Sequence, residues 1–152
     1  MPPLLQDSDK AVIGQRLEEL AEPVDVMLFT EPQSGLFVPG RRACLSCADT
    51  EQLMTEVAEL SDKVSLEIKD VKADPAAAEE WGVTHTPTIS IHRGTDSGVR
   101  MLGLPGGYEF LSFLETLISA GSGDGFGLSA ETLEKLEGVD QDIDVKVFST
   151  PT

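Results

Sequence analysis

The sequence predicts an α/β domain built on one four-stranded mixed sheet with helices on both faces. Three observations predict it. Segments of helical periodicity and segments of strand character follow one another as helix, strand, helix, strand, helix, hairpin, helix. The first strand–helix–strand unit demands a parallel crossover, whereas the later pair of strands is joined by a short glycine-bearing turn and must be antiparallel. The chain of 152 residues, 40% hydrophobic, is long enough for one packed core plus an appendage.

Each element has its own signal. Asp7, Ser8 and Asp9 offer cap oxygens to a first helix whose inward face carries Val12, Ile13, Leu17 and Leu20, and Pro23 ends it. Residues 24–29 (VDVMLF) form a mostly buried strand, because the later half is continuously apolar. Residues 30–43, with Pro32, Gly35, Pro39 and Gly40, make a long connection whose apolar tip, Leu36, Phe37 and Val38, either packs on the domain or docks a partner. Residues 44–60 read as the second helix, facing inward with Leu53, Met54, Val57 and Leu60. Val64, Leu66 and Ile68 alternate with Ser65, Glu67 and Lys69, so 64–71 is a strand with one wet face. Asp74 and Pro75 are a helix start, and Gly82 stops that helix after Trp81, which packs it on the sheet.

Residues 88–92 and 99–102 are the hairpin strands, turning at 93–98. Gly106 and Gly107 open a last large helix bearing Phe110, Leu111, Leu114, Leu117 and Ile118. The glycine-rich stretch 121–127 marks a boundary. Beyond it come a short helix capped by Ser129 and, at 143–148, an alternating strand with no partner after it. The expected organisation is a domain at 1–120, a linker with a short helix at 121–142, and at 143–152 the first strand of a second unit that the sequence does not contain.

The chemistry-bearing feature is Cys44-Leu45-Ser46-Cys47, following a strand and opening a helix. Disulfide exchange needs one thiolate to attack and a second thiol to release the mixed disulfide. Positions i and i+3 at a helix start lie about 5–6 Å apart, within reach of a disulfide. The helix N-terminus favours the thiolate, and Arg41 and Arg42 just before it add to that field. Cys44 is therefore the expected nucleophile and Cys47 the resolving thiol. A zinc site would have to recruit His85 and His92, whose spacing does not suit one. No metal and no cofactor is expected. His85 either lines the site or caps a turn, and His92 is a half-exposed strand residue. Asp25 and Glu67, the carboxylates that could serve proton transfer, read as solvated strand residues.

Charge narrows the partners. Acids number 27 against 11 bases, a net charge of −16. Such a field repels phosphate backbones and anionic membrane surfaces, so neither nucleic acid nor membrane is an expected partner. The start lacks the pattern of a signal peptide and no apolar run approaches the roughly 20 residues of a membrane span. A cytoplasmic location is expected.

Five stretches carry a resemblance to the protein disulfide oxidoreductases, a family of two-unit glutaredoxin- and thioredoxin-like proteins. They are the opening helix with Pro23-Val24, residues 59–64 (ELSDKV), Trp81-Gly82-Val83 with Thr86-Pro87-Thr88, Gly98-Val99-Arg100 with residues 103–110 (GLPGGYEF), and residues 147–152 (VFSTPT). The likeness is to the N-terminal unit and linker. It implies a thioredoxin-like fold, dithiol exchange at Cys44 and Cys47, and a cis Thr86–Pro87 bond that sets the Thr86 backbone against an extended substrate peptide. The implied partners are disulfide-bearing proteins and a thioredoxin-reductase-like electron donor; separately, the partnerless strand edge at 143–148 is expected to be poorly anchored or to pair with a second copy of the chain. The sequence departs from the family in the length of 30–43 and in Leu45-Ser46, which lacks an aromatic or proline. The 103–110 stretch also resembles the N-terminal domain of the flavoprotein component of alkyl hydroperoxide reductase, whose first unit has lost its cysteines. That implies a rival reading, a non-catalytic scaffold or docking unit of a larger redox protein.

Overall fold

The computed structural model describes residues 2–32, 44–122 and 127–148. Its centre is β1 (Val24–Thr30), which pairs parallel with β2 (Val64–Asp70) and antiparallel with β3 (Thr88–His92). The short β4 (Arg100–Leu102) adds antiparallel to β3, so the strand order is β2-β1-β3-β4. Around the sheet lie α1 (Asp7–Leu17), α2 (Cys47–Ala58), α3 (Pro75–Glu80) and α4 (Tyr108–Ser122), and α5 (Ala130–Glu137) follows. The mixed four-stranded sheet expected from the sequence is the one observed.

Strand alternation divides the two faces. Val24, Val26 and Leu28 of β1, with Ile89 and Ile91 of β3, bury against Ile13 and Leu17 of α1, Leu53, Met54 and Val57 of α2, and Phe113, Leu114 and Leu117 of α4. The opposite face, with Met27 and Phe29, is closed by Ala78 of α3 and by Trp81. Trp81 lies 6.2 Å from the Phe29 ring and 4.9 Å from His92, centroid to centroid. The Arg100 guanidinium stacks on it at 5.2 Å and donates to the Trp81 carbonyl at 2.9 Å and to Ser90 Oγ at 2.9 Å. The Arg100 hydrogen bond and the Gly98 N–H hold the Asp96 carboxyl at about 2.

Several local expectations are corrected. The N-cap of α1 is Gln6, which makes no side-chain cap bond; Asp7 and Asp9 lie in the first turn, where negative charge suits the helix dipole. Val12 is 61% exposed, because the buried stripe runs through Ile13 and Leu17, one position further round the helix. Leu111 points outward for the same reason. On the edge strand β2 the inward series fades from buried Val64 to Ile68, which is 40% exposed. Asp74 does cap α3, accepting from the Ala77 N–H at 3.1 Å. Ser129 caps α5 in the same way, although α5 buries none of its residues. Residues 142–148 form neither helix nor strand, and Val145, Val147 and Phe148 stand exposed. A strand exists only by pairing, and no strand of this sheet takes the segment as a neighbour.

Glu56 on α2 anchors the N-terminal segment. Its carboxylate accepts from the backbone N–H of Leu4 at 2.8 Å and of Leu5 at 2.9 Å, and from Gln52 at 2.8 Å, with Lys10 3.6 Å away. Burial raises its pKa, but the Gln52, Leu5 and Leu4 hydrogen bonds and the Lys10 charge outweigh it and bring it down to about 2. The sign follows directly. A carboxyl depressed in the folded state contributes stability that is complete above its unfolded value near 4.5 and is lost as pH falls toward 2. Glu56→Ala is expected to cost about 1–3 kcal/mol at pH 7. The deficit should shrink between pH 5 and pH 2 in denaturant titrations; a deficit constant with pH would show that the carboxylate charge is not what matters.

Candidate active site

β1 ends at Thr30, and α2 is the next element of the chain. Cys44 and Cys47 are joined in a disulfide, with S–S 2.05 Å and Cα–Cα 5.5 Å. The helix begins at Cys47 and not at Cys44, ending at Ala58. Ser46 takes the N-cap position, and its carbonyl accepts from Thr50 twice, from the N–H at 2.8 Å and from Oγ1 at 2.7 Å. Thr50 is fully buried, so this double bond fixes the first turn in place.

The two sulfurs are unequal. Cys47 is 1% exposed and belongs to the core, whereas Cys44 is half-buried just outside the helix and is followed by Leu45, 89% exposed. Cys44 is thus the more exposed of the two. Cys47 opens α2, where the helix N-terminus favours negative charge, with Asp49 in the same turn opposing it. Arg41 and Arg42, and the tip Leu36, Phe37 and Val38, lie outside the described residues.

Thr86 and Pro87 reach the same end of the sheet from β3. Phe29, one residue before the end of β1, pairs with Thr88, so the loop before β3 lies level with the start of α2. The Thr86–Pro87 peptide is cis. Pro87 is buried and its carbonyl accepts from the Gly103 N–H at 2.9 Å, while Thr88 Oγ1 donates to the His85 carbonyl at 2.7 Å. His85 itself is exposed and shares a 2.8 Å hydrogen bond with Thr84.

Three residues that sequence reasoning did not single out belong to this end. Glu31 accepts a hydrogen bond from Thr86 Oγ1 at 3.2 Å and forms an ion pair with Lys72. Thr30, the last residue of β1, is 4% exposed, and its Oγ1 finds no partner among the described residues. Pairings between segments this far apart in sequence leave no local trace.

Other candidates are placed elsewhere. Asp25 pairs with His92 in the β1–β3 register, five residues and so about 17 Å along the strand from Thr30 at the cysteine end. Asp25 accepts from Ser65 Oγ at 2.5 Å and from the Gly94 N–H at 3.1 Å. The Ser65 bond lowers its pKa first of all, against burial, with Gly94 and His92 adding to the lowering. Glu67 pairs with Lys69 at 2.5 Å. His92 packs at a tilt against Trp81, its side chain 11% exposed and so deeper than a half-exposed residue. No group of three or more His, Cys, Asp or Glu side chains able to hold a metal ion occurs among the described residues. A cleft of about 260 Å³ between β4 and α4, lined by Arg100, Leu102, Pro105 and Glu109 among others, includes neither cysteine. Exchange at a surface disulfide needs no enclosed pocket, only access to one sulfur.

No protein-family model matches the sequence. The AhpF protein of alkyl hydroperoxide reductase from Escherichia coli K12 is 25% identical over 145 residues, which is 95% of this chain and 24% of that protein. The protein disulfide oxidoreductase of Aeropyrum pernix K1 superposes with TM-score 0.72 at 26% identity, over 88% of this chain and 54% of that one. AhpF of Enterococcus faecalis gives TM-score 0.72 at 20% identity, over 88% and 60%. The fold is thioredoxin-like. The relationship read from the sequence is the one these comparisons return. The chain spans about a quarter of the curated relative and little more than half of the two solved chains. It is a thioredoxin-fold chain with a CxxC disulfide, similar to AhpF and to a disulfide oxidoreductase. Among the described residues no helix is long and apolar enough to cross a membrane.

Proposed function

We propose that this thioredoxin-fold module is a thiol–disulfide oxidoreductase that exchanges disulfides with protein substrates through Cys44 and Cys47. One observation supports the reading: a disulfide joins half-buried Cys44 to core Cys47 at the start of α2, and a cis Thr86–Pro87 peptide precedes the strand that pairs with the end of β1. In the reduced protein the Cys44 thiolate attacks a substrate disulfide and forms a mixed disulfide as one substrate thiolate leaves. Cys47 then gives up its proton and attacks Cys44 Sγ, releasing the second substrate thiolate and restoring the bond observed. Thr86, held by Glu31, offers extended backbone to the substrate peptide beside that bond, and Arg41 and Arg42 favour the thiolate of Cys44.

A thioredoxin-reductase-like protein would resupply electrons. The redox unit would extend past residue 120 to the end of α4 at Ser122, because Gly121 is buried against Leu20 and Val24, and the linker would follow up to 142. Residues 143–152 would open a second unit of the same kind, or pair with a second copy of the chain. The exposed apolar side chains of Ile143, Val145, Val147 and Phe148 support that assignment.

The test is the thiol chemistry itself. After reduction and removal of the reductant, one cysteine should alkylate rapidly near pH 7 while the other stays protected. The reduced protein should also cleave insulin disulfides. Sluggish alkylation of both thiols, with no insulin cleavage, would instead indicate a scaffold or docking unit.

A further inference from the structure

Two buried polar side-chain atoms lack a hydrogen-bond partner among the described residues, Thr30 Oγ1 and His92 Nδ1. His92 lies at the far end of the sheet, beside Asp25. Thr30 lies at the cysteine end, and a hydroxyl buried without a partner costs on the order of 1–3 kcal/mol, so its retention calls for an explanation.

Its place in the fold supplies one. Alternation puts Thr30 on the same face as Val24, Val26 and Leu28, the face that packs against Leu53, Met54 and Val57 of α2. Because β1 and β2 are parallel and α2 connects them, α2 runs back against the strands, which brings its first turn to the end of the sheet where β1 finishes. Thr30, 4% exposed, and Cys47, 1% exposed, are therefore buried on one face at one end of the sheet. In the disulfide the Cys47 sulfur is neutral and a poor acceptor. Once the bond opens, the same sulfur is a thiolate in surroundings that exclude water, and a hydroxyl donor there has its greatest effect.

We propose that the Thr30 hydroxyl donates a hydrogen bond to the Cys47 sulfur as the disulfide opens, making Thr30 a determinant of how readily the module is reduced. The inference rests on the exchange function proposed above. With dithiothreitol as reductant, one of its thiolates bonds to Cys44 Sγ while the Cys44–Cys47 bond breaks. The electron pair leaves on Cys47 Sγ, where Thr30 meets it. The second dithiothreitol thiol then displaces Cys44 and closes the cyclic oxidised reagent. The proton that Cys47 takes up comes from solvent, and Thr30 keeps its own.

Thr30→Val keeps the shape and removes the donor, while Thr30→Ser keeps the donor. The dithiothreitol reduction rate and the equilibrium with a dithiothreitol redox buffer are measured for all three proteins, together with the melting temperature of each oxidised form. Thr30→Val is expected to slow reduction and to shift the equilibrium toward the disulfide by about tenfold each, the latter equal to about 30 mV. Thr30→Ser should restore both, and oxidised Thr30→Val should melt no lower than the parent. Unchanged rate and equilibrium in Thr30→Val, or a lower melting temperature for its oxidised form, would overturn the proposal while leaving the exchange function standing. A parent protein whose disulfide resists dithiothreitol would overturn both.

Discussion

Insulin reduction driven by dithiothreitol is expected to fall to the uncatalysed rate when Cys44 is replaced by serine, a loss on the order of 100-fold or more. Serine preserves the size of the side chain but at neutral pH supplies neither a thiolate nor a sulfur that can enter a mixed disulfide. Cys47→Ser should behave differently, and the contrast makes the test specific. With Cys44 intact the first attack still occurs, but no buried thiol is left to release the product. One equivalent of substrate should accumulate as a mixed disulfide, visible by mass. Burial orders the roles this way, since Cys47 is 1% exposed. If instead Cys44→Ser traps substrate and Cys47→Ser turns over, the two roles are reversed. Equal slow turnover by parent and both variants would leave no catalytic role for the pair.

The second large effect is expected far from the cysteines. Gly121, near the end of α4, has no room for a side chain. A Cβ there would overlap Leu20 Cδ2 and come within 2.9 Å of both the Glu22 carbonyl oxygen and Val24 Cγ2. Leu20 can turn aside, but the Glu22 oxygen is backbone, and the Glu22 N–H is itself bonded to the Gly121 carbonyl at 3.0 Å. This close approach locks α4 onto the segment leading into the central strand. Alanine returns about 1 kcal/mol of helix propensity, yet overpacking a site walled by backbone should outweigh it. Gly121→Ala is expected to lose about 1–3 kcal/mol, a melting temperature lower by several degrees. Gly14→Ala is the control, because Gly14 lies within α1 with nothing inside 4 Å of the added atom. It should gain about 0.5–1 kcal/mol from propensity alone. Equal shifts in the two variants would show that packing at Gly121 is looser than its contacts imply.

Local chemistry made much of this protein legible without coordinates. Period-two and period-3.6 patterns located the elements, because a strand or helix buries one face and the pattern records which one. Asp74 and Ser129 announced their caps since the hydrogen bond concerned closes within three residues. The spacing of Cys44 and Cys47 announced a disulfide at a helix start for the same reason: both partners belong to one turn. Even so, the helix begins three residues later than the pattern suggested, where the buried Thr50 bonds back to Ser46.

Contacts between segments distant in sequence leave no such record. Glu56 reaches back some fifty residues to Leu4 and Leu5, Glu31 crosses to Thr86 and Lys72, and Arg100 clasps Trp81. Residues 143–148 have the alternation of a strand and yet form none, since the pattern can prepare a face but cannot supply a partner. The sequence by itself determined the sheet, its order of elements and the cysteine pair, all set by propensity, periodicity and short-range hydrogen bonding. Only the tertiary structure decided which of the two cysteines is buried and which long-range contacts form at that end of the sheet. Those depend on where β1, α2 and the loop before β3 converge, and convergence is a property of packing in three dimensions.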